Sequence, residues 1–271
     1  MNQKDETLGI GAEASREFEL LVTDAVRAAN DAEGWDFSYV STRRHEDPPS
    51  WSWTDTVASL LPGVHNMLDM DTGGGEVLID IHHNAEHWPD RVRATEGYPP
   101  NLPVATRNLA HLDIDVVGFE THEHLPFSDG SFDLIINRHG DFHPPEIWRL
   151  LRSGGLFLTQ QIQFGVVHNP NDLLGGPGPE YEVQELDSVV RRFTDAGFIA
   201  VRRREFHGRD VFDDVGALVF TLTMAPWEVS DFSVDTYRER LLDLHYRILR
   251  DGPLDLGIGF WLLVMRKPPP A

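Results

Sequence analysis

The sequence predicts an α/β fold in which a mostly parallel, seven-stranded sheet carries helices on both of its faces. Short apolar segments alternate with segments of helical periodicity from residue 66 to residue 160. A run of three glycines follows the first of these apolar segments. The chain has 271 residues, of which 41% are hydrophobic, and this length suffices for one large α/β domain. Alternating strands and helices predict a parallel sheet, because each crossover places a helix on one face.

Each predicted strand is a short apolar stretch that is bounded by turn residues. The seven strands are expected at residues 66–70, 92–95, 114–117, 132–136, 155–159, 198–205 and 259–265. Helical spacing of apolar residues predicts helices at 14–30, 54–61, 76–88, 100–111, 145–151, 183–196, 211–225 and 233–250. We expect Thr54 to cap the second helix and Pro62-Gly63 to end it.

The sequence shows no internal repeat and no linker between two cores, so we predict a single domain of residues 1–271. Its expected parts are an N-terminal helical cap or lid (1–62), a ligand-binding core (63–206), a helical insertion (207–257), and the last strand with its tail (258–271). In such folds the ligand crevice lies outside the carboxyl ends of the strands.

Composition and charge exclude several classes of function. The chain has no Cys, which excludes a disulfide scaffold, a thiolate zinc site, an iron–sulfur cluster and a cysteine nucleophile. No apolar run approaches about 18 residues and the first residues lack a signal-peptide pattern, so we expect a cytoplasmic protein. The net charge of −21 repels phosphate backbones and acidic membranes. The basic clusters at 191–192 and 202–204 are typical of solvated faces, so we expect neither a nucleic-acid nor a membrane partner.

The glycine run is the most informative stretch of the sequence. Gly73 and Gly75 let the backbone approach a ligand closely, and the helix that follows presents free N–H groups. A dinucleotide-binding turn would carry a third glycine where Leu78 stands. Glu96 closes the second predicted strand, where a carboxylate can accept both hydroxyl groups of a ribose. A glycine run alone also fits a plain turn, but Glu96 favours a nucleoside-like ligand.

Four segments, in this order, resemble the motifs of class I S-adenosylmethionine-dependent methyltransferases. Residues 69–75 match D-x-G-x-G-x-G with Asp71 at the first glycine, and Glu96 matches the ribose-binding acid. Residues 121–133 match D-A-E-x-L-P-F-x-D-x-S-F-D with Thr121 for its first Asp. Residues 150–157 match the L-x-P-G-G segment with Ser153 for Pro. The sequence is most similar to a bacterial branch of the family with unassigned substrate, which shares R-H-E-D-P-P-S-W-S-W, Y-P-P-N, I-N-R-H, T-Q-Q and a D-x-G-A…P-W block.

The resemblance implies a Rossmann-like doubly wound fold with S-adenosyl-L-methionine as the cofactor. It implies that the backbone of the glycine run passes the methionine part, while Asp69 fixes the turn or reaches the amino group. Asp71 either faces away or contacts that amino group. Glu96 would hold the ribose, and His122 with Glu123 would flank the adenine. The full set of implied cofactor-binding residues is Asp69, Asp71, Gly73, Gly74, Gly75, Glu96, His122, Glu123 and Asn137.

The acceptor side of the site is expected after the fourth strand, at residues 137–143. His139 is either a general base near the transferred methyl group or a structural histidine. Candidate contacts of the acceptor are Trp51, Trp53, His143 and Gln161. We expect residues 41–61, 160–181 and 207–257 to close the crevice as a lid.

No metal site is predicted from the histidines of the chain. His139, Asp141 and His143 stand at alternate positions, but the sequence shows no fourth ligand. His83 and His87 have helical spacing without an H-E-x-x-H motif.

The resulting hypothesis is methyl transfer from S-adenosylmethionine to a small-molecule acceptor by in-line displacement. One alternative is a non-catalytic module that binds the same cofactor. A further alternative, an NAD-dependent oxidoreductase, is disfavoured by Leu78. The oligomeric state and the methylated atom stay open.

Overall fold

The computed structural model describes residues 3–122, 124–178 and 185–269, with side chains from residue 13 onward. The chain forms two compact units. The helical unit comprises 1–48, 163–183 and 207–259, and the sheet unit comprises 49–162, 184–206 and 260–271. The segments expected to form a lid are divided between these units. The expectation of a single domain stays a prediction.

Nine helices and ten strands make up the described part of the chain. The helices are α1 (Gln3–Asp31), α2 (Trp53–Leu60), α3 (Glu76–Asn84), α4 (Asn101–Leu109), α5 (Pro144–Leu150), α6 (Pro170–Leu174), α7 (Leu186–Asp195), α8 (Val215–Met224) and α9 (Val234–Asp251). The strands are β1 (Arg44–Glu46), β2 (Asn66–Met70), β3 (Arg91–Glu96), β4 (Asp115–Gly118), β5 (Phe132–Arg138), β6 (Leu151–Phe164), β7 (Ile199–Gly208), β8 (Asp210–Phe212), β9 (Leu254–Asp255) and β10 (Ile258–Arg266). Short 3-10 turns cover Ser38–Val40 and Ala110–Leu112. Among the described residues, no helix combines the length and apolar composition needed to cross a membrane.

The predicted seven-stranded, mostly parallel sheet is confirmed. Its strands lie in the order β4-β3-β2-β5-β6-β10-β7. The pairs β2–β3, β2–β5, β3–β4 and β5–β6 are parallel. The register aligns Asp69 with Ala94 on one side and with Ile136 on the other. The carboxyl ends of β2, β3 and β5 therefore meet at one edge, where the sequence predicted the ligand crevice.

Apolar burial on both sides fixes the central strands of the sheet unit. Six of the seven residues of β5 are buried, as expected for a parallel strand that helices cover on both faces. The rings of Phe142, Phe157 and Phe193 pack against one another with centroids 5.1 to 5.6 Å apart. This packing anchors α7 and the loop before α5 to the sheet, and so holds the loop that follows β5.

The helical unit has its own core around α8, whose sequence is apolar on every side. The eight residues from Val215 to Leu222 are all buried, which is typical of a helix enclosed by its neighbours. Helices α1 and α9 pack in this core through residues such as Phe18 and Leu241. A small antiparallel sheet of order β1-β8-β9 belongs to the same unit.

Four local predictions were wrong in detail. The expected lid segment 41–61, for which only one helix was predicted, also contains β1. The helix predicted from residue 211 begins at Val215, because Asp210–Phe212 form β8. The expected lid segment 160–181, for which no regular element was predicted, holds the end of β6 and the short helix α6. The hydroxyl of Ser52, and not Thr54, caps α2 by accepting the amide of Asp55 at 3.1 Å. The start predicted for the seventh helix, at 183–184, lies outside the described residues.

A buried ion pair ties β1 to β8. The guanidinium of Arg44 donates to both carboxylate oxygens of Asp210, at 2.8 and 2.9 Å. Asp210 is fully buried, and the guanidinium lies over the rings of Phe164 and Phe212. Burial raises the pKa of the Asp210 carboxyl although the hydrogen bonds and charge of Arg44 oppose this. The sheet therefore depends on a charge pair whose partners are remote in sequence.

Candidate active site

The glycine turn after β2 has the shape that the sequence predicted. Gly73 and Gly75 have φ values of 64° and 88°, which L side chains rarely adopt. A Cβ at Gly75 would lie 2.8 Å from the Leu109 side chain, so this position also lacks space for one. The turn is joined to β3 because the amide of Thr72 donates to the carbonyl of Thr95 at 2.9 Å. Helix α3 begins directly after the turn.

Glu96 lies at the carboxyl end of β3, beside the turn. Its two carboxylate oxygens accept the backbone amides of Gly73 at 2.7 Å and of Tyr98 at 2.6 Å. Only 4% of the residue is exposed. Burial raises the pKa of Glu96 to about 7, with a contribution from the charge of Asp71, against the lowering effect of these backbone hydrogen bonds. The predicted meeting of Glu96 and the glycine turn is thus present.

Asp69 adds a second buried carboxyl group at this edge. It accepts the hydroxyl of Thr72 at 2.7 Å, which ties the end of β2 to the turn. Burial raises the pKa of Asp69 to about 7, and the charges of Asp71 and Glu96 act in the same direction. Three carboxyl groups therefore lie near one another, and burial raises the pKa values of Asp69 and Glu96 to about 7.

Asp71 stands where the family motif carries a glycine, and its backbone has the left-handed φ of 56° that suits glycine. Its carboxylate lies 2.7 Å from Nε2 of His122, in the loop after β4, and against the backbone of Gly140. Nδ1 of His122 is 3.9 Å from the carboxylate of Asp141. Burial alone would lower the pKa of His122, but the hydrogen bond and charge of Asp71 outweigh it and raise the pKa. Glu123 lies outside the described residues.

Asn137 and Gln161 brace the loop that follows β5. The buried Asn137 Oδ1 accepts the hydroxyl of Thr159 at 3.1 Å and the amide of Gln161 at 2.9 Å. The Gln161 amide also donates to the carbonyl of Gly140 at 2.9 Å. Asn137 donates to the carbonyl of Asp141 at 3.3 Å. Both side chains, which the sequence analysis assigned to cofactor and acceptor, thus hold residues 140–141 in place.

His139 follows β5 with a left-handed φ of 62°. Nε2 of its ring is 3.2 Å from Nε2 of Gln160, whose Oε1 accepts the indole N–H of Trp51 at 2.7 Å. Trp51 and Trp53 are both nearly buried. The sequence analysis named Trp51 and His139 but missed Gln160, although the T-Q-Q segment contains it.

A polar cavity of about 360 Å³ opens beside His122. It is lined by Glu120, Thr121, His122, Asp141, Phe142, His143 and Arg192. His143 precedes α5, and its Nδ1 is buried without a hydrogen-bond partner among the described residues. Asn101 was missed as well, although the Y-P-P-N segment contains it. It is 1% exposed, and neither end of its amide finds a partner in the described part of the chain.

Metal ligation has no geometric basis in the described ranges. No group of three His, Asp or Glu side chains is arranged there to hold a metal ion. Asp71 and His122 instead pair with each other, with Nε2 of His122 at 2.7 Å from the carboxylate.

Comparison with known proteins supports a methyltransferase domain in this chain. Residues 68–159 match the family model described as a methyltransferase domain. No curated protein sequence matches the chain significantly. The fold is shared with a candidate methyltransferase from Bacillus halodurans C-125, at 18% identity and a TM-score of 0.57, over 80% of this chain and 100% of that one. It is also shared with the YcgJ protein of Bacillus subtilis, at 16% identity and a TM-score of 0.54, over 80% and 98%.

A third structure with this fold is a candidate methyltransferase of Haloferax volcanii in complex with the Trm112 methyltransferase activator. It is 17% identical, with a TM-score of 0.50, over 81% of this chain and 90% of that one. Together with the family match, the sheet order and the glycine turn define an S-adenosylmethionine-dependent methyltransferase. The match over residues 68–159 supports a methyltransferase with S-adenosylmethionine as its cofactor, and the fold is consistent with class I of these enzymes.

Proposed function

We propose that the enzyme transfers the methyl group of S-adenosylmethionine to a small-molecule acceptor by in-line displacement. The observation that carries this proposal is the group of three carboxyls, Asp69, Asp71 and Glu96, beside the glycine turn. When bound, the cofactor supplies an activated methyl group on a positively charged sulfonium. Carboxylates in a poorly hydrated site complement this charge and that of the amino group.

The residues present fit this cofactor. Each oxygen of Glu96 accepts one backbone N–H and keeps a lone pair that a ribose hydroxyl can use. The backbone of Gly73 to Gly75 carries no side chain that would keep a ligand away. His122 holds the carboxylate of Asp71 toward the loop after β4. The chain's contribution to the reaction is positioning and exclusion of water.

Charge supports a small acceptor over a nucleic acid. The chain has 44 acidic against 23 basic residues. Within the basic cluster on β7, Arg203 already pairs with Asp187 at 2.6 Å. After β5 the sequence is Asn137-Arg138-His139-Gly140, without the N-P-P-Y segment typical of base methylation. The family match favours methyl transfer over the alternatives of a non-catalytic module or an NAD-dependent oxidoreductase.

Calorimetric titration should detect micromolar binding of S-adenosylmethionine and none of NAD. Because the pKa values of Asp69 and Glu96 are raised to about 7, both carboxyls are largely protonated at pH 6 and ionised at pH 8. A cation binds better to the ionised form, so the affinity should rise at least about fivefold from pH 6 to pH 8. The demethylated product lacks the sulfonium charge and should show a weaker rise. Preferential binding of NAD, or an affinity for S-adenosylmethionine that does not change between pH 6 and pH 8, contradicts the proposal.

A gel-shift assay with structured RNA at low salt tests the acceptor class. We expect no shift at micromolar protein, because the strongly negative chain repels the phosphate backbone. Tight binding that weakens steeply with added salt would indicate a nucleic-acid acceptor and contradict the proposed small-molecule acceptor.

A further inference from the structure

We propose that Trp51 and Gln160 hold His139 as a neutral imidazole protonated on Nδ1, which leaves that N–H as the ring atom free to contact a bound acceptor. His139 then orients the acceptor as a hydrogen-bond donor and is not its general base. The statement about the acceptor rests on the proposed function, whereas the protonation state of the ring does not. Trp51 and Gln160 are accordingly positioning residues.

The indole of Trp51 fixes the amide of Gln160. An indole nitrogen can only donate, so the atom of Gln160 that lies 2.7 Å away must be the carbonyl oxygen. Trp51 is 8% exposed and Gln160 is 2% exposed, so water does not offer a substitute partner. A flipped amide would place two donors face to face in a buried position, which is costly.

The fixed amide in turn selects the tautomer of His139. Nε2 of Gln160, which carries two hydrogens, lies 3.2 Å from Nε2 of His139. That ring nitrogen must therefore offer its lone pair, and the ring proton resides on Nδ1. A second proton on the ring would have to sit on Nε2. The resulting N–H would face the amide N–H of Gln160, which is unfavourable because both groups are donors. The positive charge of Arg138 acts in the same direction and lowers the pKa of His139.

The backbone holds the same ring in place. The amide of His139 donates to the carbonyl of Gln160 at 2.9 Å, so one residue binds both the backbone and the ring of His139. The left-handed φ of 62° is unfavourable for histidine and persists only where the surroundings impose it. Phe260 lies beside the ring, with centroids 6.0 Å apart. His139 keeps solvent contact, and its Nδ1 makes no hydrogen bond within the described residues.

Because the lone pair of Nε2 is engaged and Nδ1 already carries a proton, neither ring nitrogen can take a proton from an acceptor without breaking this chain of hydrogen bonds. Nδ1–H is suited to an oxygen or an unprotonated nitrogen of a bound molecule. The sequence left open a general base and a structural histidine. The geometry argues against the general base, and we assign His139 a positioning role instead.

The test is a pH titration of the full chain, which is labelled with 15N-histidine and free of cofactor. Nuclear magnetic resonance follows the histidine signals. A His139→Gln spectrum identifies the signals. We expect the wild type to show a protonated Nδ1 and an unprotonated Nε2, and a pKa below the ordinary value of about 6.5. Trp51→Phe frees the amide to turn its oxygen toward the ring and should raise the pKa of His139 by at least one unit. Gln160→Glu places a carboxylate there and should raise it above the ordinary value of about 6.5.

Trp53→Phe is the matched control, because it alters another buried tryptophan of the same segment that makes no hydrogen bond with Gln160. It should leave the tautomer and the pKa of His139 unchanged. A wild-type ring protonated on Nε2, or equal pKa changes in the two tryptophan variants, overturns the proposal. If Gln160→Glu does not fold, the wild-type tautomer and the pKa of His139 in Trp51→Phe still test the proposal. Failure of cofactor binding in calorimetry would leave these signals unaffected, so the two proposals fail separately.

Discussion

Replacing Glu96 with alanine should weaken the binding of S-adenosylmethionine at least 100-fold. If Glu96 holds the ribose as proposed, this change removes two charge-assisted hydrogen bonds, at about 1.5–3 kcal/mol each. The same change removes the acceptor of two backbone hydrogen bonds, from the amides of Gly73 and Tyr98. The glycine turn is therefore held less firmly as well. Calorimetric titration at pH 8 measures the effect, because Glu96 is ionised there.

Two further variants separate the ribose contact from a general loss of charge. Glu96→Gln keeps one acceptor oxygen and should lie between the wild type and Glu96→Ala. Glu86→Ala removes an exposed carboxylate after α3 and should bind the cofactor as the wild type does. Circular dichroism checks that each variant is folded. An unchanged affinity in folded Glu96→Ala would show that Glu96 does not hold the ribose.

Replacing Arg44 with methionine should lower the free energy of unfolding by about 3–5 kcal/mol, because it leaves the buried carboxylate of Asp210 without a partner. Urea denaturation at pH 8 measures the loss. Since burial raises the pKa of Asp210, protonation relieves the unpaired charge in acid, and the loss should shrink toward pH 5.

The double variant Arg44→Met/Asp210→Leu removes both charges and should regain most of that stability. The matched control is Arg250→Met, which breaks an exposed pair with the adjacent Asp251 and should change the stability by less than about 1 kcal/mol. A similar small change in Arg44→Met would mean that the buried pair does not hold β1 to β8.

The seven strands of the large sheet were predictable because each carries a local pattern. Parallel strands buried on both faces, such as β5, appear as short apolar runs between turn residues. The three strands of the small sheet have two or three residues each and no such pattern. Arg44 and Asp210 are 166 positions apart, so what stabilises that sheet is visible only after folding.

The candidate site, like the sheets, has features that the sequence predicts and features that it does not. The meeting of Glu96 with the glycine turn was predictable, because the carboxyl ends of neighbouring parallel strands share one edge of the sheet. The ion pair of Asp71 with His122 was not, since the two residues are 51 positions apart and lie in loops. The role of Gln160 depends on which way its amide faces, and only the indole of Trp51 reveals that. Sequence patterns locate such polar residues near a site but do not give their partners.

The position of β10 in the sheet has a consequence for how the protein is made. This strand follows β7 in the sequence, yet it lies between β6 and β7 in the sheet. Until residue 266 has left the ribosome, β6 lacks one neighbour and β7 has no partner in the sheet. Nascent chains that stall before this point would therefore carry an open edge on β6 and an unpaired β7, which favour aggregation and binding by chaperones. Synthesis of β10, and not of the cofactor motifs, completes the sheet.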